Sequence, residues 1–217
     1  YPPELWNVER PEDIMALHTS FIDAGSQLIL TNSFGGAAHR LWLHAAQDRV
    51  GELNLAAAKL ACHAADSGRD RHGHESVVAG SIGPTGELFA PMGALDHADA
   101  LAAFTEQAEA LAAGGVDLLW IETMSSLEEV SAAIEAASAV GLPAASCMTF
   151  DTAVRSMMGV TPADFASQSI SFGADYVGAN CGIGPAALLQ SVSGLMATAR
   201  VPVIAKGNCG IPAYLDG

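Results

Sequence analysis

The amino-acid sequence predicts an α/β protein built on a parallel sheet, and three observations carry this prediction. Short runs rich in Val, Ile, Leu and Ala recur six times, helical segments separate them, and polar residues follow each run. Strands that alternate with helices form parallel sheets through right-handed crossovers. Two architectures share this pattern, an open doubly wound sheet and a closed β/α barrel.

Length and net charge limit the classes of protein to which this chain can belong. The chain has 217 residues, half of them hydrophobic, which is enough for a sizeable core. With 9 basic against 24 acidic residues the net charge is −15, which argues against nucleic acid and anionic membrane surfaces as partners. No apolar run approaches the roughly 18 residues of a membrane span. Because the chain starts at Tyr1 rather than Met, we expect its natural start to be missing.

The four cysteines, Cys62, Cys147, Cys181 and Cys209, are widely spaced and form no C-x-x-C motif. A chain of this size does not need a disulfide framework. We therefore expect a reducing, cytoplasmic setting with free or metal-bound thiols. For Cys181 taken alone, the alternative to a reactive or metal-bound thiol is an inert cysteine that packs in the core as a small hydrophobic residue.

The predicted elements follow from the apolar runs and the residues that interrupt them. Residues 1–10 are predicted to be extended, because Pro2 and Pro3 disfavour helix. Strands are predicted near residues 27–31, 76–80, 116–121, 144–149, 176–180 and 201–205. Helices are predicted over residues 11–25, 37–65 with a break near 48–51, 98–113, 126–140, 161–173 and 185–198.

Local signals refine two regions between these elements. Residues 67–75 are polar and contain two glycines, so they are predicted to form a surface loop. The His72 and His74 pair in this loop is interpreted as solvated, with a metal site as the weaker alternative. Ser126 followed by Glu129 is a capping-box pattern at a helix start.

The turns after the strands separate the two candidate architectures. A nucleotide-binding open sheet has a Gly-x-Gly-x-x-Gly or Walker loop after its first strand. Neither the pair Gly35 and Gly36 nor the turn at 83–86 fits these motifs. A barrel gathers polar residues from many strand ends at one face. The sequence therefore favours a barrel.

Polar side chains follow all six predicted strands. Glu122 ends a hydrophobic strand, where a carboxylate is costly unless it is paired or binds something, so we interpret it as functional. Lys206 has two open interpretations, as a partner of Glu122 or of an incoming anion. Caps or turn formers are the alternative for several others. The strand-end residues are Thr31, Asn32, Ser81, Glu122, Thr123, Thr149, Asp151, Asn180, Cys181, Lys206 and Asn208.

Five segments, in chain order, resemble the signature motifs of one family. They are TNSF at 31–34, GSIGP at 80–84, IET at 121–123, GANC at 178–181 and KGNCGIP at 206–212. They are similar to the motifs of the zinc-dependent homocysteine S-methyltransferases. That family includes betaine–homocysteine methyltransferases and the homocysteine domain of cobalamin-dependent methionine synthases. The acidic, alanine-rich chain most resembles the bacterial enzymes named for betaine.

The resemblance implies a single homocysteine-binding domain over residues 1–217 with a (β/α)8, or TIM-barrel, fold. In that alignment the six strands are the second to seventh, so we expect the domain to lack its first and last strands. The resemblance also implies zinc held by three thiolates, Cys181 and a Cys-Cys pair that this chain does not contain. Cys209 lies where the family usually has Ala and is not assigned as a ligand. Cys62 and Cys147 are interpreted as core residues.

An activity is implied as well. Zinc keeps a coordinated thiol deprotonated, and three protein ligands leave a fourth position for the homocysteine sulfur. That sulfur attacks an activated methyl group and gives methionine. By the family pattern Glu122 holds the homocysteine amino group, and Asn32, Ser81, Asn180 and Asn208 line or shape the substrate site.

The methyl donor implied by the resemblance is betaine. Aromatic side chains, which suit a quaternary ammonium, are absent near Gly35 and Thr123, so a methylated corrinoid protein and S-methylmethionine stay as alternatives. We expect a cytoplasmic homo-oligomer. Two other classes stay open. One is a barrel lyase with Lys206 as Schiff base and Glu122 as acid/base, and the other is a non-catalytic subunit that docks a corrinoid protein.

Overall fold

Six strands alternate with helices, in the positions that the apolar runs predict. The structure is a computed structural model that describes residues 1–210 and residue 212, so Ile211 of the last motif and residues 213–217 of the predicted domain lie outside the described residues. The strands are β1 Leu28–Leu30, β2 Val77–Ile82, β3 Leu118–Met124, β4 Ala144–Met148, β5 Tyr176–Cys181 and β6 Val203–Gly207. The helices are α1 Trp6–Glu9, α2 Pro11–Asp23, α3 Ala38–Trp42, α4 Val50–His72, α5 His97–Ala113, α6 Leu127–Ala139, α7 Pro162–Phe172 and α8 Pro185–Met196.

All six strands are parallel, and their order in the sheet equals their order in the chain. Every crossover therefore steps to the next strand in one direction, whereas a doubly wound sheet reverses direction at a switch point. The predicted α/β class is confirmed, and the six strands curl into a partial barrel. The doubly wound alternative is wrong.

The two faces of the sheet pack differently. Side chains of the outer face, such as Val78, Leu119 and Val177, join the helices in the main hydrophobic core. A smaller cluster lies on the inner face and contains Ala79, Leu118, Trp120, Ala145 and Cys147. Successive strand residues alternate between faces, so residues two positions further along each strand continue this inner row. At the carboxyl ends of the strands this inner row becomes polar, with Ser81 two residues after Ala79 and Glu122 two residues after Trp120.

The prediction for residues 1–10 is wrong. A 3-10 helix at Pro3–Leu5 and the short helix α1 replace the extended segment. Pro3 occupies the first helical position, where a missing N–H needs no partner. Pro2, the N-cap, keeps an extended backbone with ψ of 137°.

The predicted loop at 67–75 is wrong over residues 67–72, because helix α4 continues to His72, and only residues 73–75 lie outside it. Gly68 lies buried in this helix against Ile22, and a β-carbon at Gly68 would clash with that side chain. The glycine therefore allows close packing of α4 on α2 rather than a turn. Gly73 follows the last helical residue, and its φ of 74° suits that position. Neither α4 nor any other described helix is long and apolar enough to cross a membrane.

Candidate active site

Four polar side chains occupy the inner face of the sheet at its carboxyl end. Ser81 on β2 pairs in register with Trp120 on β3, and Glu122 follows Trp120 by two residues on the same face. Asn180 on β5 pairs in register with Lys206 on β6. Four separate strands thus bring strand-end residues named from the sequence to one end of the sheet, as the barrel prediction requires.

Glu122 lies at the centre of this group and is paired at both carboxylate oxygens. It is only 4% exposed. The Ser81 hydroxyl donates to Oε1 at 2.8 Å, and the Lys206 ammonium lies 2.9 Å from Oε2. A buried charge is tolerated when it is paired in this way. Of the two interpretations of Lys206, the structure shows the pairing with Glu122.

Cys181 ends strand β5 and lies beside a second hydrogen-bonded pair. The Asn180 side-chain amide donates to Thr123 Oγ1 at 2.7 Å and to the Cys181 sulfur at 3.3 Å. In return, the Thr123 backbone N–H donates to Asn180 Oδ1 at 3.0 Å. Asn180 therefore holds the end of β3, one residue after Glu122, against the thiol on β5.

Backbone strain marks the same two positions. Thr123 has a φ of 65° and Cys181 a φ of 57°, in the left-handed region that non-glycine residues rarely adopt. Each such residue costs on the order of 1–3 kcal/mol, and such strain persists where the surroundings enforce it, often at functional sites. Two strained residues joined through Asn180 indicate a site rather than an ordinary strand end.

Asn208 and Asn32 lie on the turns after β6 and β1. The Asn208 side chain donates to the Gly182 carbonyl at 3.0 Å, and its backbone N–H donates to the Cys181 carbonyl, so Asn208 holds the turn that follows the thiol. The Asn32 amide points elsewhere. It donates to the Pro3 carbonyl at 2.8 Å and to Asn7 Oδ1 at 3.0 Å, which ties it to the N-terminal segment. A substrate contact for Asn32 stays a prediction.

A buried amide cluster, which the sequence analysis missed, supports the β1 turn and the end of β2. Gln107 on α5 donates to the Ser33 carbonyl at 2.7 Å and to Asn54 Oδ1 at 3.1 Å. Asn54 on α4 donates to the Gly36 carbonyl at 2.9 Å. The Ser33 hydroxyl in turn donates to the Ser81 carbonyl at 2.7 Å. The missed signal is an amide residue inside the apolar face of each of two helices.

Glu129 joins the loops that follow β2 and β3. Ser126 caps helix α6 by accepting from the Glu129 backbone N–H, as the capping-box pattern predicts. The Glu129 carboxylate does not complete the box and accepts instead from the backbone N–H and hydroxyl of Thr85, at 2.8 and 2.7 Å. Burial raises the pKa of Glu129, and these hydrogen bonds oppose that rise.

Comparison with known proteins gives the family. The family model for homocysteine S-methyltransferase matches residues 2–217. The chain belongs to the homocysteine S-methyltransferase family.

Relatives within this family carry several names. Methionine synthase of Mycobacterium tuberculosis is 29% identical over 217 residues, which cover 96% of this chain and 18% of that protein. Pig betaine–homocysteine S-methyltransferase 1 is 31% identical over 189 residues, covering 85% of this chain and 64% of that protein. Rat S-methylmethionine–homocysteine S-methyltransferase is 32% identical over 220 residues, covering 96% and 56%. The chain thus spans less than two thirds of these relatives.

Solved structures show the same fold. The metallated form of the Escherichia coli homocysteine methyltransferase MmuM superposes with a TM-score of 0.82 at 23% identity, covering 95% of this chain and 77% of that chain. Its oxidised form gives a TM-score of 0.83. At this identity the likeness concerns the fold alone, and it agrees with the partial barrel described above.

The thiols of this homocysteine S-methyltransferase chain differ in their suitability for zinc. Cys181 lies at the site, and the Asn180 amide donates to its sulfur. Cys147 is fully buried in the inner-face cluster, and burial raises its pKa strongly, as expected of a core thiol. Cys62 is half-buried on α4 and donates to the Gly115 carbonyl at 3.3 Å. Among residues 1–210 and 212, no group of three His, Cys, Asp or Glu side chains could hold a metal ion. Within the described residues, Cys181 is therefore a single candidate thiol and not a complete metal site.

Proposed function

We propose that this chain forms the homocysteine-binding part of an enzyme that transfers a methyl group to homocysteine sulfur and releases methionine. The observation that carries the proposal is the link between a buried carboxylate and a thiol. Glu122 and Cys181 lie at the same end of the sheet, and the Asn180–Thr123 hydrogen bonds connect their strands. Family membership supplies the reaction class.

The roles of the side chains follow from their chemistry. Glu122 would accept the α-ammonium group of homocysteine, with Ser81 holding the carboxylate in place. Cys181 would supply one thiolate to zinc, and Asn180 would orient that thiolate through its amide. When bound, zinc lowers the pKa of a coordinated thiol and leaves its sulfur ionised at neutral pH. The homocysteine sulfur donates an electron pair to the methyl carbon, and the donor departs with the electrons of the broken bond.

We also propose that the six strands are the second to seventh of a (β/α)8 barrel and that residues outside the described structure supply the other zinc ligands. The proposal has two supports. The strands follow one another around the sheet without reversal, and the chain covers 77% of the MmuM chain that shares the fold. The barrel domain would then extend beyond residues 1–217.

Betaine is the proposed methyl donor, with S-methylmethionine and a methylated corrinoid protein as alternatives. The relatives named above bear three different names at similar identities, so an assay must distinguish the donors. We would supply each donor in turn to the natural full-length protein and measure methionine and zinc content. Betaine turnover is expected. Turnover with only another donor would reassign the donor, and no zinc with no methionine would favour a non-catalytic subunit.

The Cys181→Ser variant tests the metal assignment, and Cys62→Ser is its matched control. Serine is a poor zinc ligand, so we expect Cys181→Ser to lose bound zinc and methionine formation together. Cys62 lies on α4 and contacts Gly115, so its variant should keep both. Full zinc content in Cys181→Ser would contradict the assignment.

The Lys206–Glu122 pair favours one second candidate, a Schiff-base lyase. An amine 2.9 Å from a carboxylate at the end of a barrel sheet resembles the nucleophile and acid/base pair of such an enzyme. Borohydride would trap a covalent adduct between Lys206 and a carbonyl substrate. Trapping of this kind, together with activity that needs no zinc, would replace the methyltransferase proposal.

A further inference from the structure

The ion pair between Glu122 and Lys206 is asymmetric. The Glu122 side chain is 6% exposed and is fixed by the Ser81 hydroxyl, whereas the Lys206 side chain is 47% exposed. A lysine carries its charge on a flexible four-carbon stem. The carboxylate is therefore the stationary partner, and the ammonium of Lys206 is the partner that can leave.

An incoming α-ammonium group competes with Lys206 for the Glu122 carboxylate. Glu122 Oε1 already accepts from Ser81, and Oε2 contacts Lys206 Nζ. Leaving a buried carboxylate without a cation is strongly unfavourable. Exchange of one ammonium for another avoids that cost, because Glu122 keeps a cationic partner throughout.

The displaced lysine also needs an anion. An α-amino acid brings one, since its carboxylate is joined to the same carbon as its ammonium. In the described residues, Lys206 is the one Lys or Arg within 4.0 Å of Glu122. Lys206 is therefore positioned to pair with the substrate carboxylate when its own ammonium group leaves Glu122. The charges of the free site and of the complex both balance.

We infer that Lys206 is a substrate-binding residue: it occupies the ammonium position on Glu122 in the free protein and pairs with the α-carboxylate of the amino acid in the complex. This inference rests on the proposed function, because it concerns how homocysteine and methionine are bound. It makes the site selective for zwitterionic amino acids. A simple amine would have to displace Lys206 without offering it a new partner.

The experiment compares L-methionine with its decarboxylated analogue, which keeps the amine and the thioether. Dissociation constants are measured by calorimetry on the natural full-length, zinc-loaded protein and on Lys206→Met and Lys206→Arg. Lys59→Met is the matched control, because Lys59 is the other lysine of the chain and is exposed on α4. Circular dichroism checks that each variant is folded.

Lys206→Met is expected to weaken methionine binding roughly 10- to 100-fold, as for loss of a hydrogen bond to a charged group. The decarboxylated analogue should bind Lys206→Met at least as tightly as it binds the unmodified protein, because the lysine that competes with the analogue for Glu122 is gone. Lys206→Arg should retain a preference for methionine, and Lys59→Met should change neither ligand.

Two results separate the claims. An equal change for both ligands, or no change for either, would overturn the role of Lys206 while leaving methionine binding intact. An unmodified protein that binds neither methionine nor homocysteine would overturn the proposed function, and the role of Lys206 with it.

Discussion

Removal of the Ser81 hydroxyl is the sharpest test of the pairing at Glu122. Ser81 is 2% exposed and donates to the buried carboxylate at 2.8 Å. A hydrogen bond to a charged group contributes about 1.5–3 kcal/mol. We therefore expect Ser81→Ala to lower the free energy of unfolding by about that amount. At about 2–4 °C per kcal/mol for a domain of this size, the melting temperature should fall by about 3–12 °C.

Ser146 on β4 provides a matched control on the outer face of the sheet, in register with Ile121 and Val177. It is a fully buried strand serine whose hydroxyl has no hydrogen-bond partner in the described structure. Ser146→Ala should therefore be neutral or stabilising, because it removes an unsatisfied polar group. Both variants are compared by urea unfolding at constant m-value. Equal losses in Ser81→Ala and Ser146→Ala would refute the argument, since burial alone would then explain both.

Three further predictions concern pH, packing and thiol reactivity. Burial raises the pKa of Glu129. The contribution of this group to stability is therefore greatest below its unfolded pKa of about 4.3 and is lost as pH rises through the folded pKa. In Glu129→Gln, the free energy of unfolding should depend less steeply on pH over this range. Gly36→Ala would bring a β-carbon within 2.8 Å of two buried amide nitrogens and should cost about 1–3 kcal/mol, whereas Gly51→Ala, with open space in α4, should not destabilise. Exposed Cys209 should react with a thiol reagent in the native protein, and buried Cys147 only after unfolding; early labelling of Cys147 would contradict its burial.

The sequence was sufficient for the strands and for the end of the sheet that carries the site. Short apolar runs are distinctive when helices separate them, and all six predicted strands are present. Glu122 was identifiable because a carboxylate after a hydrophobic strand is costly without a partner. Parallel strands then place Glu122, Asn180 and Lys206 at one edge without further information.

Local patterns failed where packing overrides composition. Pro3 appeared to exclude helix, yet the first helical position tolerates proline. Gly68 appeared to mark a loop, yet its missing β-carbon lets α4 approach Ile22. In both cases the same residue type serves two structures, and only its neighbours in space distinguish them.

The sequence by itself thus determined the parallel α/β class, favoured a barrel over the doubly wound sheet and identified the residue types at the site. Only the tertiary structure decided their partners. Lys206 meets Glu122 across 84 positions of the chain, Asn180 meets Thr123 across 57, and Asn32 turns to the N-terminal segment across 25 to 29. Such contacts depend on sheet register and on how far each loop folds back, which no local pattern of residues encodes.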